Sequence, residues 1–209
     1  MSGDALIFDL GGVVVDWDPR HLYSKLFDDP DRREWFLDRI CPMRWHREFD
    51  RGAAMWPAIE RRCAEFPEWT PYIRAYRDRW REMFAGPIPG ARELLGELLA
   101  TGTRLFAITN WPAETFPFAL IDFPVLRVFA DIVVSGRVRL IKPDPAIFEL
   151  ALATFEVDRR RCLFIDDNEA NVAGALAVGL PAVRFVDMPT LREHPVIRRR
   201  LGARSARVS

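Results

Sequence analysis

The chain has 209 residues, the length of one domain or of one domain that carries a modest insertion. Hydrophobic residues make up 49% and charged residues 29%, fractions that are typical of a folded chain and exclude wholesale disorder. The 30 basic and 30 acidic residues give a net charge of zero. Since a protein held to nucleic acid by its overall field is basic, we expect no nucleic-acid partner.

Cysteines and apolar segments narrow the class further. Cys41, Cys63 and Cys162 lie far apart and form no CxxC pair, which argues against a zinc ribbon and a disulfide framework. The N-terminal residues do not resemble a signal peptide. The longest uncharged apolar stretch, residues 172–183, contains glycine and proline and is too short to cross a bilayer. We therefore expect a cytoplasmic protein, monomeric or homodimeric, with no membrane partner.

The first predicted element is a buried strand over residues 5–8. Asp9, Leu10 and two glycines, Gly11 and Gly12, follow it directly, a pattern typical of an exposed strand end. The next piece of chain, residues 17–86, contains no convincing strand. Apolar and aromatic side chains recur there at spacings of three and four, which predicts a helical module.

The rest of the chain alternates between helix and strand. This alternation predicts a doubly wound, Rossmann-like parallel sheet with helices on both faces. The single strand at the N-terminus completes that sheet, so we expect an α/β core from residues 1–16 and 87–209 with an inserted all-helical cap at 17–86. The predicted helices are 88–101, 144–155 and 169–178, and the predicted strands are 104–108, 131–134, 162–165 and 182–186.

Polar residues follow four of the predicted strands and so share one edge of the sheet, where ligands of open α/β sheets bind. Three close carboxylates favour a hard cation such as Mg²⁺, and a lysine with a threonine suits a phosphate group. A carboxylate can also act as a covalent nucleophile. The residues are Asp9, Thr109, Asn110, Lys142, Asp166 and Asp167.

Four segments in this order resemble the motifs of the haloacid dehalogenase superfamily of hydrolases. They are Ile7–Asp16 (IFDLGGVVVD), Ile108–Asn110 (ITN), Lys142–Phe148 (KPDPAIF) and Phe164–Asn168 (FIDDN). The resemblance covers essentially the whole chain, and the helical insertion is similar to the family's cap of the first type. The opening Asp-Leu-Gly-Gly-Val resembles a branch that includes sugar-1-phosphate phosphatases.

The resemblance implies a Mg²⁺-dependent phosphomonoesterase that acts on a small phosphorylated metabolite, with a sugar phosphate as one option. Asp9 would be the nucleophile and a metal ligand. Thr109, helped by Asn110, would hold the transferring group, and Lys142 would balance its charge. The remaining metal ligands implied are the Gly11 carbonyl, Asp167, and Asp166 either directly or through water.

One position departs from the family pattern. Most phosphatases of the family carry a second Asp two residues after the nucleophile, as general acid and base, and this chain has Gly11 there. A positioned acid or base contributes typically ~10²–10⁴-fold in rate. The enzyme is therefore slow, or its leaving group needs little protonation, or another residue substitutes for the acid. Two other functions also stay open, a 2-haloacid dehalogenase that uses the same Asp9 and a catalytically weak phosphometabolite-binding protein. Against the dehalogenase, the pair Asp166–Asp167 is unfavourable without a cation.

Substrate contacts are expected from the backbone at Gly11 and Gly12, from Trp111 beside the second motif, and from His46 and Arg44 in the insertion. His46 is also a substitute acid in this interpretation, although packing or solvated roles are common for such residues. Asp16 and Asp18 are expected in turn or capping roles. Residue 171, an asparagine one helical turn beyond Asp167, is expected to support the metal shell.

Overall fold

A parallel five-stranded sheet forms the centre of the molecule. The computed structural model describes residues 5–202, and residues 1–4 and 203–209 of the predicted core lie outside this range. The strand order is β5-β4-β1-β6-β7, which confirms the predicted α/β class. The strands are β1 (Ala5–Phe8), β4 (Arg104–Thr109), β5 (Asp131–Val134), β6 (Cys162–Asp166) and β7 (Ala182–Arg184).

Each face of the sheet is covered by its own layer of helices, because side chains of a strand alternate between the two faces. Leu6 and Phe8 of β1 face a core formed with α6 (Ala91–Ala100), α11 (Met188–Glu193) and α12 (Pro195–Gly202). Ala5 and Ile7 face the opposite core, formed with α9 (Pro145–Phe155) and α10 (Glu169–Ala177). The buried side of each layer is apolar, and its packing against the sheet holds the carboxyl ends of the strands in fixed positions.

The predicted elements all occur, and their ends shift by at most three residues. The helix predicted from residue 88 begins at Ala91, and the helix predicted from 144 begins at Pro145. Asp144 is instead the N-cap of α9, because its carboxylate accepts a hydrogen bond from the Ala146 N–H at 2.9 Å. The last strand, predicted over 182–186, ends at Arg184.

The segment between β1 and α6 is mainly helical and has a hydrophobic core of its own, rich in aromatic side chains. Its ends pair as two short antiparallel strands, β2 (Val15–Trp17) and β3 (Phe84–Pro87). The expectation that residues 17–86 contain no strand is therefore wrong at both ends; the domain boundaries themselves stay a prediction. We call this segment the helical insertion; its helices are α1 (Pro19–Tyr23), α2 (Pro30–Arg39), α3 (Met43–Asp50), α4 (Met55–Glu65) and α5 (Thr70–Asp78).

The insertion contacts two short helices of the core, α7 (Phe116–Asp122) and α8 (Ser135–Val138). The backbone N–H of Met55 donates to Glu114 Oε1 at 2.8 Å, and Arg81 Nε donates to Asp122 Oδ2 at 2.7 Å. These polar contacts bring the insertion over the sheet edge where the predicted site residues lie. Within residues 5–202, every helix is too short or too polar to cross a membrane.

Candidate active site

A cavity of about 750 Å³ lies between the insertion and the carboxyl ends of the strands. The sheet side contributes Asp9, Lys142 and Asp167, and the insertion contributes His46 and Asp50. A cleft at this edge is where open α/β sheets bind ligands. The structure thus brings the predicted sheet-edge residues together beneath the insertion.

Asp9 directly follows β1, and its backbone N–H extends the pairing with β6 by donating to the Ile165 carbonyl at 2.8 Å. Its Oδ1 accepts from the Leu10 N–H at 2.7 Å and lies 2.9 Å from Lys142 Nζ. Burial raises the pKa of Asp9 to about 7, although Lys142 opposes this effect. Asp9 is thus a buried carboxyl group whose ionised form depends on a neighbouring cation.

Lys142 is that cation, and its ammonium is completely buried between two carboxylates. Nζ lies 2.9 Å from Asp9 Oδ1 and 2.7 Å from Asp166 Oδ2. Burial lowers the pKa of Lys142, but Asp166 and Asp9 outweigh it and raise the pKa above its ordinary value. Lys142 therefore stays charged at neutral pH.

Asp166 is saturated with hydrogen bonds. Its Oδ1 accepts from the Asn168 N–H at 2.8 Å, and Asn171 Nδ2 lies 3.1 Å from both carboxylate oxygens. With Lys142 on Oδ2 as well, these contacts hold Asp166 as an anchor for the ammonium. Asn171 thus contacts Asp166, and its support of a metal shell stays a prediction.

Three carboxylates converge at the sheet edge. One oxygen from each of Asp9, Asp166 and Asp167 lies within 4.8 Å of the others. Burial and the neighbouring Asp166 raise the pKa of Asp167, with Lys142 opposing. One buried ammonium does not balance three carboxylates, so the donor set fits a hard divalent cation with oxygen ligands.

Thr109 ends β4 and is buried at the same edge. Its Oγ1 has no hydrogen-bond partner among residues 5–202. A buried hydroxyl without a partner is unfavourable by ~1–3 kcal/mol, and such groups are rare in native proteins. Contact of Thr109 with a transferring group stays a prediction.

Comparison with known proteins identifies the family. A family model described as a haloacid dehalogenase-like hydrolase matches residues 4–179. The chain belongs to this family. The match confirms the family resemblance, and the four motifs are the segments that build the site just described.

Individual relatives carry two kinds of activity in their names. A phosphoglycolate phosphatase from Rhodospirillum rubrum is 34% identical over 99 residues, 47% of this chain and 41% of the relative. The first curated relatives are matched over less than two thirds of their length. A haloacid dehalogenase family enzyme from Bacteroides thetaiotaomicron, crystallised with magnesium, superimposes with a TM-score of 0.69 at 18% identity, over 92% of this chain and 100% of that one. An L-2-haloacid dehalogenase from Xanthobacter autotrophicus superimposes with a TM-score of 0.63 at 18% identity, over 93% and 82%. At these identities the two structures show a shared fold.

In this haloacid dehalogenase-like hydrolase, the side chain of Asn110 holds the lysine loop. Its Oδ1 accepts from the Lys142 N–H at 2.9 Å and its Nδ2 donates to the Lys142 carbonyl at 3.1 Å. These contacts favour a positioning role. Contact of Asn110 with a transferring group stays a prediction.

Trp111 lines the cavity but is anchored as a core side chain. Its backbone N–H donates to Ser135 Oγ at 2.9 Å, its Nε1 donates to Thr115 Oγ1 at 3.2 Å, and its ring stacks on Phe84. Trp111 therefore presents a fixed apolar wall to a ligand. Gly11 and Gly12 line the same cavity, and their contact with a substrate stays a prediction.

His46 lies in the cavity wall and its ring packs against those of Trp17 and Trp80, with centroids at 4.8 and 5.6 Å. Its Nδ1 is 3.0 Å from Tyr76 Oη. Burial lowers the pKa of His46 to about 3, helped by Arg47. His46 is therefore neutral at physiological pH, which does not suit the role of a substitute acid.

The structure does not bring Arg44 to the cavity. Arg44 is exposed and lines a separate groove beside α1 and α2, because the cavity-facing side of α3 carries His46, Arg47 and Asp50 at helical spacings of three and four. Arg47 and Arg51 line the cavity in its place. The sequence did not predict Asp50 or Arg51 as cavity residues. For Asp50 a signal was available, because it follows His46 by four residues and so lies on the same buried side of α3.

The two acids expected in turn or capping roles lie away from the cavity lining. Asp18 is the N-cap of α1, with Oδ1 accepting from the Arg20 N–H at 2.8 Å. Asp16 Oδ1 lies 3.2 Å from His21 Nε2. These contacts confirm the capping role of Asp18 and leave Asp16 engaged with a histidine.

Proposed function

We propose that this hydrolase is a Mg²⁺-dependent phosphomonoesterase that forms an aspartyl-phosphate at Asp9. The observation that carries the proposal is the convergence of oxygens of Asp9, Asp166 and Asp167 within 4.8 Å of one another, with one buried ammonium paired to Asp9 and Asp166. The phosphatase relative supports the same reaction class.

The metal would be held by the Asp9 and Asp167 carboxylates and the Gly11 carbonyl. Asp166 would act through water, because its oxygens are already occupied by Lys142, Asn168 and Asn171. When bound, Mg²⁺ would neutralise excess negative charge at the carboxylates and the phosphoryl group. A cation there would also lower the raised pKa of Asp9 and keep it ionised.

The reaction would proceed in two displacements. In the first, an Asp9 oxygen bonds to phosphorus while the bond from phosphorus to the leaving oxygen breaks. Thr109 Oγ1 donates a hydrogen bond to the phosphoryl group, and Lys142 offsets its charge. In the second, a water oxygen bonds to phosphorus, the bond to Asp9 breaks, and phosphate leaves.

The helical insertion, residues 17–86, would act as a cap on a core of residues 1–16 and 87–209. By closing over the sheet edge it would exclude water and choose the substrate. Arg47 and Arg51 place positive charge on the cavity wall, and Trp111 adds an apolar surface. This lining suits a small phosphorylated metabolite, and sugar phosphates are the first class to test.

The dehalogenase alternative uses the same nucleophile without a metal. Gly11 favours this alternative, because the family's dehalogenases also lack the second Asp. Asp167 argues against a metal-free dehalogenase, because a third carboxylate near Asp9 makes the nucleophile harder to ionise unless a cation is present. A binding protein without turnover is a further alternative.

The test is phosphate release from a panel of sugar phosphates and an aryl phosphate, with Mg²⁺ and then with excess chelator. We expect metal-dependent phosphate release whose rate falls at least 10³-fold in the Asp9→Asn variant. After reaction with a ³²P-labelled substrate and an acid quench, we expect the wild-type enzyme to carry ³²P. Equal activity in Asp9→Asn and wild type contradicts the mechanism. Halide release from 2-haloacids without metal, in the absence of phosphatase activity, supports the dehalogenase instead.

A further inference from the structure

Replacement of the second Asp by Gly11 leaves the proposed reaction without an obvious proton donor. Among the described residues of the cavity wall, one carboxyl group lies outside the three-carboxylate cluster and outside any cap or turn, that of Asp50 at the end of α3. Asp144 also lines the cavity, but its side chain caps α9. Asp50 is therefore the acid that needs an explanation.

Asp50 is buried, and its Oδ1 has no hydrogen-bond partner among residues 5–202. Its side chain is 5% exposed, and Oδ1 is fully enclosed 3.4 Å from His46 Nε2, outside hydrogen-bond geometry. His46 is neutral, so this contact is not an ion pair. A buried carboxyl group without partners is unfavourable for folding, and such groups concentrate at functional sites.

The charged groups facing Asp50 come from both sides of the cavity. Lys142 from the core, and Arg47 and Arg51 from its own element, all lower its pKa. Burial is the larger effect and raises the pKa of Asp50 to about 7. The group can therefore hold or release a proton near neutral pH, which an acid–base catalyst requires.

The turn after α3 fixes the position of Asp50 over the core. Gly52 has φ +89°, and a Cβ there would lie 2.9 Å from the Gly136 carbonyl oxygen of α8. The Met55 N–H to Glu114 contact holds the next helix to the core. The turn that directly follows Asp50 therefore packs against α8 of the core.

We propose that Asp50, supplied by the insertion, is the general acid and base that takes the place of the missing Asp at position 11. This inference rests on the proposed phosphatase function. In the first displacement, protonated Asp50 gives its proton to the leaving oxygen as the bond to phosphorus breaks. In the second, the Asp50 carboxylate accepts a proton from the attacking water. The two transfers restore the starting state of Asp50.

The role of Asp50 makes the effect of its loss depend on the leaving group. An alkyl phosphate, such as a sugar phosphate, leaves as a strong base and needs the proton, whereas p-nitrophenolate does not. For Asp50→Asn we expect kcat/KM to fall ~10²–10⁴-fold with the alkyl phosphate and by less than about fivefold with p-nitrophenyl phosphate. The matched control is Glu48→Gln, an exposed acid on the same helix outside the cavity lining, for which we expect both values to be unchanged.

A second measurement addresses the base. Rapid mixing of Asp50→Asn with p-nitrophenyl phosphate is expected to give a burst of nitrophenol followed by slow turnover, because hydrolysis of the phosphorylated Asp9 lacks its base. We expect Asp50→Glu to recover part of the alkyl phosphate activity. In wild type, kcat/KM for the alkyl phosphate should fall above about pH 7, and kcat/KM for the aryl phosphate should not.

The outcomes separate this inference from the function on which it rests. Equal losses with both leaving groups, or an alkyl pH profile identical to the aryl profile, would overturn the role of Asp50 while phosphatase activity stands. If wild type shows no Asp9-dependent phosphate release from any substrate, the phosphatase function itself is overturned. If Asp50→Asn does not fold, the wild-type pH comparison still decides.

Discussion

Asn110 binds the backbone of Lys142 at both of its hydrogen-bonding groups, the N–H at 2.9 Å and the carbonyl at 3.1 Å. The two residues are 32 positions apart, and their pairing ties the end of β4 to the loop that carries the buried ammonium. Because Nζ must lie between Asp9 and Asp166, a shift of this loop would unbalance both carboxylates.

Removing this support should weaken catalysis more than folding. For Asn110→Ala we expect kcat to fall about 10–100-fold, in line with the loss of a group that orients a site residue. The pKa of Asp9 should rise as the ammonium moves away, so the acidic limb of the kcat/KM profile should move to higher pH than in wild type. An unshifted acidic limb would contradict the positioning role.

The two glycines after the nucleophile differ in the space around them. A Cβ at Gly11 would meet nothing within 4 Å, whereas a Cβ at Gly12, where φ is +75°, would lie 2.5 Å from Asp167 Oδ2. We therefore expect Gly12→Ala to displace Asp167 and raise the Mg²⁺ concentration needed for half-maximal activity about tenfold or more. Gly11→Ala is the control, and it should keep the wild-type requirement. An equal Mg²⁺ requirement in both variants would be evidence against a metal role for Asp167.

Much of this site was predictable because its residues follow strands. The strands before Asp9 and Asp167 are compact apolar runs, and parallel pairing places their ends at one edge of the sheet. Asp9, Lys142 and Asp167 therefore came together as expected. The hydrogen bonds between Asn110 and the Lys142 backbone were not predictable, since nothing in either segment indicates the loop conformation that brings them together.

The insertion was harder to predict because its cavity-facing residues depend on how helices pack. Positions 44 and 47 are both arginine, and only the rotation of α3 about its axis decides which of the two faces the cavity. Asp50 lies in a stripe that would suit a core residue, so its lack of partners is visible only in three dimensions. The strands at Val15–Trp17 and Phe84–Pro87 were not predicted, because each is too short to show a clear alternating pattern.

The two arginines of α3 provide a matched pair for substrate binding. Arg47 lines the cavity and Arg44 does not, although both are exposed on the same helix. For Arg47→Ala we expect KM for an anionic sugar phosphate to rise about fivefold or more, because a positive charge near the substrate is lost. Arg44→Ala should leave KM unchanged. A larger effect of Arg44→Ala than of Arg47→Ala would mean that the insertion approaches its substrate from the other side of α3.

The buried carboxyl of Asp50 predicts a pH-dependent stability. Its pKa is about 7 in the folded chain, raised by burial from 3.8, so the folded state binds more protons between these values. Stability from this group is therefore present below about pH 4 and is lost as pH rises through 7. The free energy of unfolding of Asp50→Asn minus that of wild type should therefore increase from pH 5 to pH 8, by on the order of 2 kcal/mol. Denaturant unfolding of both proteins at each pH measures this, and a constant difference contradicts it.

Gly11 offers a way to restore the acid where the family usually carries it. The open space around this position accommodates a side chain, and φ is not in the left-handed region, so Gly11→Asp is expected to fold. In the Asp50→Asn background, Gly11→Asp should raise kcat/KM for an alkyl phosphate at least tenfold while changing the p-nitrophenyl phosphate value little. Gly11→Asn is the control, because its side chain has the same shape as that of Asp but cannot act as a general acid or base. Equal recovery by both substitutions would mean that side-chain volume at position 11, rather than proton transfer, limits the reaction.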